Sequence, residues 1–450
     1  MTDLADLTRD LSDWSVEPTD LALGGIDRSG SPVTGAPQLL VRAHAVAEVQ
    51  SVVRFATAHG ITVVARGAGS GLAGGAVAGT GTIVLDLSPL DRIVEIRPVD
   101  QVAVVQPGVV TADLDAAAAE HGLFYAPDPG SVDLSTIGGN IATNAGGLRG
   151  VKYGVTRDAV LSLDVVLADG RLVSLGAGTV KQVTGYDLVG LFVGSEGTLG
   201  IVVGATVRLL PRPAVTGTVA AYFPSLEQAA AASVAVRTSG ARPSVIELVD
   251  GPTLGAIDEL SGSSLRERGE AFLLVQVDGL DVTAEVAVIT AALSGATHVE
   301  SSTDPETSAR LLGARRLALP AIEARGRALI EDIAVPPSRL VEAVHGVHAV
   351  AAATGVEIYV FAHAGDGNLH PIIVVDAEVG AELPTAVVDA ADRIFALALE
   401  LGGTLTGEHG IGLLKQHWVD REVGPDVAGI QHALKQLLDP AGILNPGKAI

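Results

Sequence analysis

The segment Arg66-Gly67-Ala68-Gly69-Ser70-Gly71-Leu72-Ala73-Gly74-Gly75-Ala76 restricts the folds open to this chain more than any other. It follows a β-branched stretch, 61–65, that reads as a buried strand. It contains a literal G-x-G-x-x-G at Gly69, Gly71 and Gly74. A dinucleotide-binding βαβ unit needs a crossover helix directly after such glycines. Here the chain gives more glycine and then another strand, 82–87, which leaves no room for that helix. A P-loop fails as well, because no Gly-Lys-Ser or Gly-Lys-Thr follows. Two readings remain: a glycine loop whose bare amides approach a diphosphate, or a flexible turn.

Two further blocks share this texture. Pro127-Asp128-Pro129-Gly130-Ser131 leads into Ser135-Thr136-Ile137-Gly138-Gly139-Asn140-Ile141-Ala142-Thr143-Asn144-Ala145-Gly146-Gly147. Small hydroxyl and amide side chains alternate there with glycine, so backbone donors and acceptors can lie along a flat ligand. Val193-Gly194-Ser195-Glu196-Gly197-Thr198-Leu199-Gly200-Ile201 is the other. The blocks in combination are far more specific than any one of them.

At 450 residues the chain has length for two or three domains with full cores. Aromatics are only 3% while hydrophobic residues reach 48%, which suits small, closely packed helices and strands. A net charge of −23 argues against nucleic acid and against an anionic membrane surface. The absence of cysteine excludes disulfides, cysteine-ligated iron–sulfur clusters and a cysteine nucleophile. The start of the chain lacks an apolar signal core, and no apolar run is long enough for a transmembrane helix. The expected location is the cytoplasm, with peripheral docking to a membrane partner left open.

Periodicity predicts an amphipathic helix and a Gly/Pro-rich loop over 1–35, then helices at 44–59 and 111–121. Short strands are expected at 93–96, 102–105 and 201–210, with a hairpin at 162–175 around Ala168-Asp169-Gly170. Pro211-Arg212-Pro213 marks a boundary. Beyond it strands and helices alternate as in an α+β domain, and helices are expected at 383–401 and 427–438. The expected divisions are 1–35, 36–213, 214–400 and 401–450.

The C-terminal half carries two chemical clusters. His363-Ala364-Gly365-Asp366-Gly367-Asn368-Leu369-His370 places two imidazoles around a turn-forming sequence between apolar strands. Gly407-Glu408-His409-Gly410-Ile411-Gly412 sets a carboxylate and an imidazole among glycines. Two histidines and a glutamate form a common divalent-metal ligand set with room for substrate. The pattern is not H-E-x-x-H, so a zinc protease lacks its motif. The plain alternative is that His363 and His370 are hydrogen-bonding histidines at strand ends.

The glycine blocks resemble the FAD-binding domain of the vanillyl-alcohol-oxidase/PCMH flavoproteins. The histidine and Glu-His clusters, with Asn445-Pro446-Gly447-Lys448, resemble the C-terminal domain of FAD-linked oxidases. That domain occurs in glycolate oxidase flavin subunits, D-lactate dehydrogenases and D-2-hydroxyglutarate dehydrogenases. The resemblance runs from about residue 36 to the end. It implies an α+β fold: a two-subdomain FAD-binding domain, an α+β substrate (cap) domain, and a C-terminal segment returning to the flavin domain.

Site residues follow from that resemblance. The pyrophosphate loop would use Arg66, Gly67, Ala68, Gly69, Ser70, Gly71, Leu72, Gly74 and Gly75. Pro127, Asp128, Ser131, Thr136, Gly138, Gly139, Asn140, Ala142, Thr143, Asn144, Gly146 and Gly147 would run along the ribityl chain and flavin. A strand from Glu196 through Gly197 and Gly200 to Ile201 would complete the site, with Asn445 on the flavin side. Many relatives carry in the first loop a histidine bonded to the flavin. Ser70 and Gly71 stand there, which implies non-covalent FAD. His363, His370 and Glu408 would hold zinc or manganese, and His409 would be the base. Asn368 and Arg315 complete the catalytic candidates; Arg315 would bind the substrate carboxylate, with Arg316 as the alternate.

The hydroxyglutarate enzymes tend to carry a lysine where this chain has Ile330, so a small D-2-hydroxy acid, D-lactate or glycolate, is expected. Oxidation to the 2-oxo acid would send hydride to the flavin. Electrons would pass to oxygen, a quinone, a cytochrome or a separate iron–sulfur subunit, and a homodimer stays open. Alternatives are a D-2-hydroxyglutarate dehydrogenase, a flavin relay subunit of a glycolate oxidase complex, and a metal-dependent hydrolase on a glycine scaffold.

Overall fold

A computed structural model describes residues 4–376 and 382–450. The chain divides into two compact units. One contains the residues up to Gly146, then Gly154–Arg212 and Glu408–Ile450; the other contains Gly147–Tyr153 and Pro213–Gly407. The α+β class and the return of the C-terminal segment to the glycine-rich part are both as expected. The chain leaves the second unit at Gly407.

The first unit holds two layers of different character. In one, Leu39–Arg42 and Val63–Arg66 flank Ile83–Asp86 as parallel strands. The helix Val46–His59 turns Val49, Val52, Val53 and Ala56 inward, the spacing of one helical face. Its start is held by Glu48, whose carboxylate accepts the N–H of His44 at 2.7 Å and of Ala45 at 3.1 Å. It ends at Gly60 in the left-handed region. The C-terminal segment extends this sheet: Val63 N–H donates to the Ile443 carbonyl, and Asn445 N–H donates to the Val63 carbonyl.

The other layer is an antiparallel sheet, in order Ile93–Arg97, Val102–Val105, Ile201–Arg208, Val160–Val166 and Leu172–Gly176. Burial alternates strictly along Ile201–Arg208, so one face is apolar and packs on Leu114, Ile137 and Leu163. The last two strands form the expected hairpin around Gly170.

Three local expectations need correction. The helix expected ahead of the Gly/Pro-rich loop in 1–35 is instead two short helices, Ala5–Thr8 and Pro18–Gly24, with Trp14–Ser15 between them pairing as a strand (residues 1–3 lie outside the described residues). The stretch 137–143, read from sequence only as polar backbone laid along a flat ligand, is a helix. Thr136 caps it by accepting the Gly139 N–H, and Asn144 ends it at φ 54°. Residues 196–200 form a turn, with Glu196 at φ 50° and Gly197 at φ 73°, and the strand begins only at Ile201.

In the second unit an antiparallel sheet runs in the order His298–Ser302, Val215–Phe223, Ala271–Gly279, Val245–Asp250, Ile358–His363, Asn368–Val375 and Arg327–Ile330. One face packs on the helices Gly251–Ser261, Pro305–Arg316 and Ala318–Glu323 through Tyr222, Phe272, Leu274 and Tyr359. Residues of opposite parity, Leu248, Leu273, Val275 and Val360, are also fully buried, so both faces are covered. Among the described residues no helix is long and apolar enough to cross a membrane.

Candidate active site

The candidate residues divide between the units. In the first, the glycine loop leaves its amides unused. Among the described residues the N–H groups of Ala68, Gly69, Ser70, Gly71 and Leu72 donate to no protein acceptor. The loop residues are half-buried, and Gly69 and Gly74 take φ of 69° and 86°, where a side chain is strained. Such a run of outward N–H groups suits a diphosphate. Arg66 serves the loop differently. Its guanidinium donates to the carbonyls of Gly24 at 2.6 Å and of Leu23 and Ile26 at 3.1 Å. It therefore ties the C-terminus of Pro18–Gly24 to the loop.

The second block packs against the first. A Cβ on Gly67 would lie 2.2 Å from the Thr136 hydroxyl that caps 137–143. Gly67→Ala must therefore turn that hydroxyl away, and should lower stability by about 1 kcal/mol, the value of a helix cap. A lower urea midpoint at unchanged slope checks this. Gly138 lies on Pro107, donating its N–H to that carbonyl at 2.7 Å. Asn140 is buried, its amide donating to the Thr111 hydroxyl at 2.7 Å. The Ala142 carbonyl accepts the Glu196 N–H, and the Asn144 side chain accepts the Arg157 N–H. Thr143 bonds back to the Gly139 carbonyl. Pro127, Asp128 and Ser131 sit on the turn before Thr136, where the Ser131 carbonyl accepts from Leu134 and Ser135. Gly147 falls in the other unit.

Glu196 joins the third block to the C-terminal segment. Its buried carboxylate accepts the N–H groups of Ile411 at 2.7 Å and Gly412 at 2.9 Å. Burial pushes this carboxyl above its ordinary range, and the two amides pull it back. The Asn445 amide donates to the carbonyls of Gly75 at 3.0 Å and Glu196 at 2.7 Å. Lys448 donates to the Val77 carbonyl and the Asn445 side chain; burial pushes its ammonium down to about 8, against Asp27 and Glu196. Gly200 has Val165 beside it and precedes Ile201 in the strand. Glu408 and His409 are each 13% exposed at the side chain. A Cβ on Gly146 would lie 2.7 Å from a Glu408 carboxylate oxygen. The Glu-His pair is thus fastened to the glycine blocks from both sides.

In the second unit the strands Ile358–His363 and Asn368–Val375 form the expected hairpin, with Asn368 opposite His363. The His363 and His370 rings are 5.0 Å apart and nearly perpendicular, and one nitrogen of each lies within 4.8 Å of the other. Each ring is beside a fully buried carboxylate. His363 Nδ1 is 2.6 Å from Glu247, and His370 Nδ1 is 4.0 Å from Asp332. Asp332 also accepts from the Asn368 amide at 2.6 Å and the Thr406 hydroxyl at 2.5 Å. Asn368 further donates to the Ile333 carbonyl at 2.9 Å, so its amide holds backbone and Asp332 together. A Cβ on Gly407, the residue before Glu408, would lie 2.3 Å from that amide. Arg315 ends the helix Pro305–Arg316 and donates from Nε to Glu247 at 2.6 Å. Its guanidinium carbon stands 4.0 Å from the centre of the Phe361 ring. Arg316 shares that last turn and, unlike Arg315, is not hydrogen-bonded to Glu247.

Glu247 and Thr406 escape a reading of sequence. The only local signal for Glu247 is a carboxylate inside the apolar run Ser244-Val245-Ile246-Glu247-Leu248-Val249.

Residues 212–449 match the family described as FAD linked oxidases, C-terminal domain, and residues 37–176 match the FAD binding domain. The chain belongs to the FAD-linked oxidase family. It is 39% identical to the glycolate oxidase subunit GlcD of Bacillus subtilis (strain 168), over 92% of this chain and 88% of that one. It is 37% identical to the D-lactate dehydrogenase of Archaeoglobus fulgidus, over 90% and 89%. The fold matches the solved structure of p-cresol methylhydroxylase with a TM-score of 0.77 at 18% identity, covering 99% of this chain and 96% of that one. As an FAD-linked oxidase the chain is an oxidoreductase, and this removes the hydrolase reading. The free amides of Ala68–Leu72 fit an FAD diphosphate. The His363 ring, held at Nδ1 by the buried Glu247 carboxylate and facing His370, fits a divalent metal.

Proposed function

We propose that this oxidoreductase converts a small D-2-hydroxy acid, D-lactate or glycolate, to the 2-oxo acid, using non-covalent FAD and a divalent metal, zinc or manganese. The observation that carries the reading is the cluster on Glu247: a metal-type histidine and a carboxylate-type arginine share one buried anchor. Similarity over nearly the whole chain to a glycolate oxidase subunit and a D-lactate dehydrogenase supports the same substrate class.

In this reading Arg315 receives the substrate carboxylate. Among the described residues its two terminal nitrogens have no hydrogen-bond acceptor, and Phe361 fixes the plane of the fork. By the family resemblance His363, His370 and Glu408 are the metal ligands, and the His363 and His370 rings face one another across their hairpin. When bound, the flavin takes up the α-hydrogen with its electron pair and the metal lowers the pKa of the substrate hydroxyl. His409 accepts the hydroxyl proton. Ile330 stands where, by the resemblance, the hydroxyglutarate enzymes tend to carry a lysine, which favours monocarboxylates. With no cysteine in the chain to hold an iron–sulfur cluster, electrons leave to oxygen, a quinone, a cytochrome or a separate iron–sulfur subunit.

The test is anaerobic bleaching of the purified yellow protein with D- and L-lactate, glycolate and D-2-hydroxyglutarate. D-lactate or glycolate should bleach the flavin fastest. No bleaching by any acid would support a relay subunit, and fastest bleaching by D-2-hydroxyglutarate would overturn the assignment to small acids.

A further inference from the structure

We infer that Glu247 is a positioning residue that sets, through one carboxylate, both the nitrogen His363 presents to the metal and the orientation of Arg315. The inference rests on the metal and carboxylate roles proposed above, and all its contacts lie within the second unit.

Glu247 sits in the middle of Val245–Asp250, between Ile246 and Leu248, and has no exposed surface. A carboxylate in such a place is costly unless it is paired and hydrogen-bonded. Both oxygens are used. One lies 2.6 Å from His363 Nδ1 and the other accepts from Arg315 Nε at 2.6 Å. The backbone dictates the first contact, because Glu247 and His363 are direct cross-strand partners and point to the same face. Arg315 arrives from the helix Pro305–Arg316 on that face and supplies the opposite charge.

Two consequences follow. A histidine that donates from Nδ1 to a carboxylate keeps the lone pair on Nε2, so only Nε2 can ligate. An arginine held at Nε, with its guanidinium carbon 4.0 Å from the centre of the Phe361 ring, is restricted at its fork, so its terminal nitrogens favour one direction. A single side chain thereby fixes the distance and angle between the two substrate-facing groups. A glutamine that keeps Arg315 on its single acceptor oxygen turns its N–H₂ toward His363, whose Nδ1 must then accept and whose Nε2 carries the proton and cannot ligate.

The experiment compares wild type, Glu247→Gln and Glu247→Asp as FAD-loaded proteins stripped of metal. It measures Mn²⁺ and Zn²⁺ affinity by calorimetry, then, after saturation with the metal, KM for D-lactate and glycolate by flavin reduction, and melting temperature. Glu247→Gln should weaken metal binding by about 10- to 100-fold or raise KM by a similar factor, the usual cost of losing such a partner. A purely structural role would lower the melting temperature while both constants of the folded protein stayed put. A folded Glu247→Gln with metal affinity and KM within about threefold of wild type would overturn the inference. If Glu247→Gln does not purify folded, Glu247→Asp, which keeps the charge but shortens the reach, is held to the same threshold. Wild-type protein that binds neither metal would instead overturn the metal reading itself and take this inference with it.

Discussion

Replacing His409 with alanine should slow reduction of the bound flavin by D-lactate or glycolate by about 10²- to 10⁴-fold, the usual contribution of a positioned general base. The imidazole belongs to a loop whose backbone is held independently of the side chain. Ile411 and Gly412 hang on Glu196, while Leu413 N–H donates to the Ala73 carbonyl at 2.8 Å. Truncation at position 409 therefore leaves the loop in place, and the flavin absorbance of the purified variant should match wild type. Arg315 is untouched by the change, so KM should move far less than the rate. Anaerobic stopped-flow reduction reads both, and a variant that bleached at the wild-type rate would remove His409 from the role of base.

Stripping the metal should slow the same half-reaction by two or more orders of magnitude, roughly what several kcal/mol of charge stabilisation is worth. FAD should stay bound, because none of the three proposed ligands, His363, His370 and Glu408, belongs to the loop of free amides at Ala68–Leu72. Adding back Mn²⁺ or Zn²⁺ should restore the rate in wild type but not in His363→Ala. Losing that ring leaves Glu247 with a free oxygen and His370 as the remaining histidine of the hairpin. Unchanged kinetics in protein shown by elemental analysis to be metal-free would exclude a catalytic metal.

Much of the architecture was legible in the sequence. The strand expected at 201–210 is found at Ile201–Arg208, and Ala168-Asp169-Gly170 and Gly365-Asp366-Gly367-Asn368 are the turns of two hairpins, because turn chemistry acts over a few residues. The helix at 137–143 was not legible. Its glycines weigh against helix, and what supports it is the Thr136 cap together with Pro107, which only a glycine at position 138 can approach.

The glycine run at 67–75 determined by itself that no crossover helix follows, and the histidine and Glu-His motifs marked the candidate residues for the chemistry. Tertiary structure decided which groups hold them. Glu196 reads as one more polar residue of a glycine block, yet it grips amides 215 and 216 positions further along the chain. Glu247 reads as an interruption in a strand, yet it joins Arg315 and His363 across separations of 68 and 116. Local pattern reports which face of an element is buried. A buried charge is stabilised by whatever the folded chain brings to it, and that choice is made only when distant segments meet.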